Sequence, residues 1–259
     1  MDESVQEPVR VEVPVEGVLL VTLDRPRARN AVNADLAERM AAAMDRLDGD
    51  PELRVGILTG AGGTFCSGMD LKAFVRGESP VVPGRGFGGL TERGPEKPLI
   101  AAVEGYALAG GCELVLACDL VVAGEGASFG IPEVKRGLVA AAGGLLRLPE
   151  RVPYHVAMEL ALLGEHVPAA RMAEFGLVNR LVPTGEALST ALDLAARIAA
   201  NGPLAVRASK KIVAESRGWP ADERWSRQRE ISGPVMTSED AREGATAFAE
   251  KRPPVWRGR

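Results

Sequence analysis

Two glutamates occupy positions where acid/base chemistry could be done. Glu113 lies in GYALAGGCELVLACD (residues 105–119), where it is the lone glutamate among small and apolar residues. An ionised carboxylate taken out of water without partners costs several kcal/mol or more, so its place needs a reason. Glu133 follows in FGIPEVKRG, directly behind Pro132, and is read as opening another helix. Two carboxylates from separate elements facing one substrate make a general acid/base pair, each member typically worth about 10²- to 10⁴-fold. Taken singly, either glutamate is equally explained as a negative charge at a helix N-terminus.

Two glycine-rich turns flank this chemistry, SGM at 67–69 and AGG at 109–111, each following an apolar run and opening a helix. The first amides of a helix lack internal partners, and the helix dipole adds partial positive charge there. If the fold brings the N–H groups of Met69 and Gly110 together, they form a two-donor cradle for a developing oxyanion. Glycine at 110 and 111 would then let a substrate approach the main chain closely. The alternative is two tight strand-to-helix turns with no further role.

Other chemistries fit poorly. The only histidines, His155 and His166, sit in YHVAM and GEHVP without a second ligand at metal spacing, which argues against a histidine metal site or a Ser-His-Asp triad. Gly60, Gly62 and Gly63 suggest a dinucleotide turn, but Phe65 stands where its last glycine belongs. A phosphate loop would need Lys and Ser or Thr after Gly68, where Met69 and Asp70 stand, and no G-x-S-x-G elbow occurs.

The elements that must position these groups alternate. VRVEVPVEGVLLVTL reads as two strands joined near Glu16 and Gly17. Asn33 looks like a helix N-cap, with Leu36, Met40, Ala43, Met44 and Leu47 at helical spacing and Gly49 and Pro51 closing the helix. RVGILTG is a buried strand running into AGGTFCSG, after which MDLKAFV starts a helix. Residues 77–98, rich in Gly and Pro and without periodicity, read as a long loop shaping a pocket. LIAAV and DLVVAG are further buried strands, with the Glu113 segment as turn and helix between them. This alternation through about residue 185 favours parallel pairing in an α/β architecture. From Glu186 the pattern is helices only, one of them with Pro203 in its first turn. The chain therefore divides into a core at 1–185 and a helical region at 186–259.

Composition narrows the partners. The chain has 259 residues, 46% hydrophobic and 25% charged, an ordinary globular balance. A net charge of −4 with no basic block argues against nucleic acid. Cys66, Cys112 and Cys118 sit in apolar surroundings and suit buried, reduced thiols of a cytoplasmic protein. The N-terminal MDESVQEPVR lacks the apolar core of a secretory signal. No apolar run approaches the roughly 20 residues a membrane span needs.

Taken together, FCSGMDL, AAVEGYALAGGCELVLACD, ASFGIPEVKRGL, AAGGLLRLP, AEFGLVNRLVP and the terminal FAEKRPPVW resemble the crotonase superfamily, with enoyl-CoA hydratases the nearest group. The resemblance spans nearly the whole chain, and the order and spacing of these pieces are far more specific than any one of them. It implies an α/β spiral of β-β-α units with a helical C-terminal region that mediates trimers or dimers of trimers. It implies a coenzyme A thioester as substrate, with no separate cofactor and no metal. Motif by motif, the carbonyl-binding N–H groups fall on Met69 and Gly110, and the catalytic glutamates on Glu113 and Glu133. Arg27, Ala28 and Asn30 fall in the early coenzyme A contact. Ser67, Gly68, Asp70, Leu71, Tyr106, Gly111 and Pro132 fall along the substrate, and Phe248 and Lys251 where family trimers reach a neighbour's adenine and phosphate end. Water and substrate would then be the partners that make Glu113 tolerable. Ile131, Lys135, Arg136 and Val139-Ala140-Ala141 depart from the hydratase pattern at the acyl end. Family enzymes also isomerise, dehydrate, decarboxylate or cleave on this scaffold, and an isomerase would need Glu133 alone. A noncatalytic acyl-CoA binder is the third reading.

Overall fold

The computed structural model describes residues 7–259; residues 1–6 of the acidic N-terminal stretch lie outside the described residues. The first strands are β1 (Val9–Val15) and β2 (Val18–Leu23), antiparallel and turned at Gly17, whose φ is +76°. Asn33 caps α1 (Ala34–Gly49) by accepting the Leu36 N–H, and the helix buries Leu36, Met40, Met44 and Leu47 as their spacing predicts. Then come β3 (Val55–Gly60) and the short α2 (Leu71–Val75).

The 77–98 segment is more ordered than a loop. It holds a small antiparallel hairpin, β4 (Val81–Val82) and β5 (Gly86–Phe87), and buries Phe87 and Leu90. After β6 (Leu99–Val103), the stretch read as a turn forms β7 (Tyr106–Leu108) before α3 (Gly110–Leu116). Next are β8 (Leu120–Gly124) and β9 (Ser128–Gly130). The element expected to open at Glu133 is a 3-10 helix over Pro132–Arg136, ended by Gly137 at φ +66°.

The chain continues through α4 (Gly144–Arg151), α5 (Tyr154–Leu163), β10 (Val167–Pro168), α6 (Ala169–Glu174) and β11 (Arg180–Val182). It finishes with α7 (Ala187–Ala199), α8 (Pro203–Glu215), α9 (Arg224–Met236) and α10 (Glu239–Glu250).

A six-stranded sheet runs in the order β1-β2-β3-β6-β8-β11, parallel from β2 onward as the alternation requires. One face packs on α1 and the connections that follow β3 and β6. The other face packs on α7, whose Ala187, Ala191 and Ala195 form a flat stripe against Val18, Ile57, Ile100 and Val122. Small residues at helical spacing let the α7 backbone approach the strands closely. The Glu104 carboxylate at the end of β6 accepts the N–H groups of Gly185 and Ala187, fixing the start of α7. The boundary at 185/186 marks where strands stop, while α7 completes the core. Among the described residues of α8 and α9, none is buried, and Val213, Trp225 and Met236 stand exposed.

Candidate active site

Because β3 and β6 are parallel neighbours, the segments leaving their C-terminal ends travel side by side. Past the main sheet, Phe65 and Cys66 donate to the carbonyls of Glu104 and Tyr106, and Leu108 donates back to Cys66. Cys66 thereby joins β7, itself the edge of a second sheet ordered β10-β9-β7. Both segments then turn at the same level. A Cβ on Gly68, whose φ is +99°, would sit 2.7 Å from the Ala109 Cβ and 3.1 Å from the Gly110 nitrogen. The two glycine turns are in contact, and Gly68 makes that contact possible.

Among the described residues, the Met69 and Gly110 amides at this junction have no acceptor. Val32 donates to the Gly68 carbonyl and Asp70 donates to the Val32 carbonyl, which leaves the Met69 N–H outside the ladder. The Gly110 N–H starts α3 and has no acceptor among the described residues. It is aimed by Ala109, a non-glycine residue held at φ +52° by its N–H bond to Gly130 O at 2.8 Å. Backbone in this region costs on the order of 1–3 kcal/mol and persists only where the surroundings enforce it.

Glu113 sits in the first turn of α3 and is 3% exposed. Its Oε1 accepts the Gly144 N–H at 2.9 Å from the start of α4. Burial pushes its carboxyl above the ordinary range, while the Gly144 and Ala142 amides and the Arg147 charge pull it back. The sequence reading gave Glu113 only water and substrate as partners; the structure adds the N-terminus of another helix. Glu133, on the 3-10 turn, has fewer partners. Its Oε2 is buried and unbonded among the described residues. Burial pushes its carboxyl up to about 7, its own N–H and Arg136 oppose the rise, and the neighbouring Glu113 adds to it.

Both glutamates, Met69 and Gly110 line one cavity of about 660 Å³. Its wall is completed by α2 (Leu71, Phe74), the hairpin segment (Pro80, Val81, Phe87), and Leu138, Val139 and Ala142 ahead of α4. This is the size and apolar character expected of a small-molecule site with a few convergent polar groups.

The sequence profile described as Enoyl-CoA hydratase/isomerase matches residues 14–259. The chain belongs to the enoyl-CoA hydratase/isomerase family. Enoyl-CoA hydratase EchA19 of Mycobacterium tuberculosis is 46% identical over 93% of each chain. A carnitinyl-CoA dehydratase of Salmonella paratyphi A is 45% identical, over 93% of this chain and 95% of the other. A crystal structure of enoyl-CoA hydratase from Mycobacterium tuberculosis H37Rv is 61% identical with a TM-score of 0.96, covering 98% of this chain and 100% of that one. The crotonase fold implied by the sequence motifs is thus the fold of this family member.

Within this family site, the other expected contacts divide. Ser67, Leu71 and Pro132 line the cavity. Asn30 does not: it is 0% exposed, its amide donates to the carbonyls of Ala61 and Thr64, and its oxygen accepts the Arg25 N–H. It braces the turn, with no side-chain atom left for a ligand. Asp70 is likewise spent, capping α2 through the Lys72 and Ala73 amides and pairing with Arg25. At Gly111 the space expected for substrate is taken, because an added Cβ would overlap the Cys66 backbone; at Gly110 the same space is filled by the Phe87 ring. Glycine is required at both positions by protein packing.

Arg27 and Ala28 lie on the 3-10 turn of Pro26–Ala28 away from the cavity wall, and Arg29 lines it instead. Tyr106, 41% exposed, lies between Arg29, 6.0 Å from its ring, and His166, 6.1 Å between ring centroids. His166 itself lines the cavity, a placement no sequence signal announced. Phe248 is 88% exposed and Lys251 ends α10 at φ +55°; neither reaches this cavity within one chain.

Proposed function

We propose that the chain is an enoyl-CoA hydratase that adds water across the 2,3 double bond of an enoyl-CoA thioester to give the 3-hydroxyacyl-CoA. The observation that carries this reading is the pair of carboxyls on one cavity with unequal surroundings. One is held by backbone donors, and burial pushes the carboxyl of the other up to about 7. Environments that push two carboxyls apart mark which acts as base and which as acid.

In the mechanism, the thioester oxygen sits between the N–H groups of Met69 and Gly110, which draw electron density toward it. Glu113 takes a proton from a water whose oxygen bonds to the β-carbon. The π electrons move toward the α-carbon and thioester carbonyl, and Glu133 delivers its proton to the α-carbon. Removing one such donor typically costs about 10²- to 10³-fold. The acyl group lies among Leu71, Phe74, Phe87 and Val139, and the coenzyme A portion leaves past Ser67 and Arg29 over Arg27 and Ala28. The exposed apolar residues of α8 and α9 support a homotrimer or dimer of trimers, in which Phe248 and Lys251 would approach a neighbouring site. Buried Cys66, Cys112 and Cys118, all free thiols, are compatible with a cytoplasmic setting.

The 45% identical carnitinyl-CoA dehydratase supports a related reading. Dehydration is this addition run backward, so it needs the same four groups. Isomerisation through Glu133 alone is the separable alternative. Loss of the ultraviolet absorbance of a conjugated enoyl thioester, followed with wild type, Glu113→Gln and Glu133→Gln, tests the assignment. Hydration requires both variants to lose turnover. Unchanged turnover in both would refute it, and survival of double-bond migration in Glu113→Gln would favour the isomerase.

A further inference from the structure

Gly143 and Gly144 open α4 directly after the cavity-lining Ala141 and Ala142, and the space each lacks is filled by a charged group. A Cβ on Gly144 would sit 3.0 Å from the Cγ and Oε1 of Glu113, and one on Gly143, at φ +94°, would run into the Arg147 guanidinium. Arg147 sits one turn into α4, its N–H bonded to Gly143 O, and folds its side chain back over the helix start. There its Nη2 donates to the Thr91 carbonyl, in the segment that also supplies the cavity's Phe87 wall. Among the described residues Arg147 forms no salt bridge, and its Nη2 is held by a backbone carbonyl instead.

Resting on the hydratase reading above, we propose that Arg147 is a positioning residue for Glu113. From α4 it holds a positive charge beside that carboxylate and ties the helix that bonds Glu113 to the 77–98 wall. The placement is selective. The charged and titratable groups facing Glu113 are Arg147 from α4, Glu133 from the 3-10 turn and the Cys112 thiol on its own helix; burial pushes that thiol up to about 12, so it stays neutral. The cation facing Glu133 is Arg136, and the one beside Arg147 on α4 is Arg151. Arg147 therefore stabilises the ionised form of Glu113 in particular, and it does so from a half-buried position where screening by salt is weaker than at the surface. That is what a base needs when the acid beside it must stay protonated.

The test is a carboxyl titration that does not depend on turnover. Protein labelled with 13C at glutamate carboxyls is titrated by NMR as wild type, Arg147→Gln and Arg147→Lys, with the Glu113 signal assigned by its loss in Glu113→Gln. Arg147→Met, which keeps the packing of the stem, replaces Arg147→Gln if the latter does not fold. The midpoint of Glu113 is expected to rise without the charge and to return close to wild type in Arg147→Lys. The acid limb of the kcat profile should move with it while KM stays within about twofold, as for a loss confined to the chemical step. An unmoved Glu113 midpoint in the uncharged variant overturns the proposal, as does a midpoint shifted equally by lysine. A Glu113 midpoint that moves in Arg147→Gln, in a protein whose wild type hydrates no enoyl thioester, would instead retain the electrostatic role and refute the hydratase reading.

Discussion

The two glutamates look alike in sequence, each opening a helical turn behind a small or rigid residue, but their seats differ. Glu113 belongs to a regular helix and reaches the N-terminus of a second one, so its charge is met by Gly144 and by Arg147. Glu133 rides on a five-residue 3-10 turn and leaves Oε2 buried without a bond among the described residues. In the proposed mechanism their division of labour comes from α4, an element that neither glutamate's own sequence neighbourhood contains. A reading of local motifs finds the two acids; only the tertiary partners tell base from acid.

The largest effects should come from removing either carboxylate. Glu113→Gln and Glu133→Gln are each expected to lower kcat by about 10²- to 10⁴-fold in the ultraviolet assay. Substitution at Gly144 should act on one seat alone. An added Cβ would meet the Glu113 side chain at 3.0 Å, so Gly144→Ala should displace that carboxylate and cost up to about 10²-fold in kcat. The basic limb of the pH profile, which reports Glu133, should stay near pH 7 in this variant. A basic limb that moves as well would mean the two seats are one coupled unit.

Stability should separate the seats in another way. The carboxyl of Glu133 titrates near 7 in the folded chain against an ordinary value of 4.5. The native state therefore binds more protons than the unfolded one between those values, and stability falls as pH rises through that window. Glu133→Gln removes the burden, so its melting temperature should exceed that of wild type at pH 8 and match it near pH 4. Glu113→Gln should gain less, because the carboxylate it replaces already has Gly144 and Ala142 as donors. Equal gains in the two variants would mean that the two carboxyls sit in equivalent surroundings.

Much of this arrangement was legible because it is local or periodic. The Gly17 hairpin, the Asn33 cap and the α1 face follow from turn and capping chemistry. The meeting of the Met69 and Gly110 turns follows from parallel neighbours β3 and β6. The misses are long-range. Tyr106–Leu108 is too short to show a strand period and pairs only because Cys66 and Ser128–Gly130 lie beside it. Phe87 looked like part of a shapeless loop, yet its ring explains the glycine at 110. Asn30 and Asp70 sit within the binding motifs, and their polar atoms are consumed by the turns they hold together. His166 joined the cavity through β10, with no sequence cue at all.

The mildest perturbation is also the finest test of the comparison. Arg136 is exposed and opposes the rise of the Glu133 carboxyl, whereas Arg147 is half-buried behind Glu113. Replacing Arg136 with Gln should let the Glu133 midpoint climb above about 7, so a larger fraction keeps its proton at pH 8. The basic limb of kcat should then shift upward by a few tenths of a pH unit, as expected for an exposed charge pair worth well under ~1 kcal/mol. Because the Debye length falls to about 3 Å at 1 M salt, high salt should reproduce the shift in wild type and add nothing to Arg136→Gln. The Arg147 effect on the acid limb should largely survive the same salt. If instead both limbs respond to salt alike, solvent reaches the two carboxylates equally, and the asymmetry of their seats does not govern which one carries the proton.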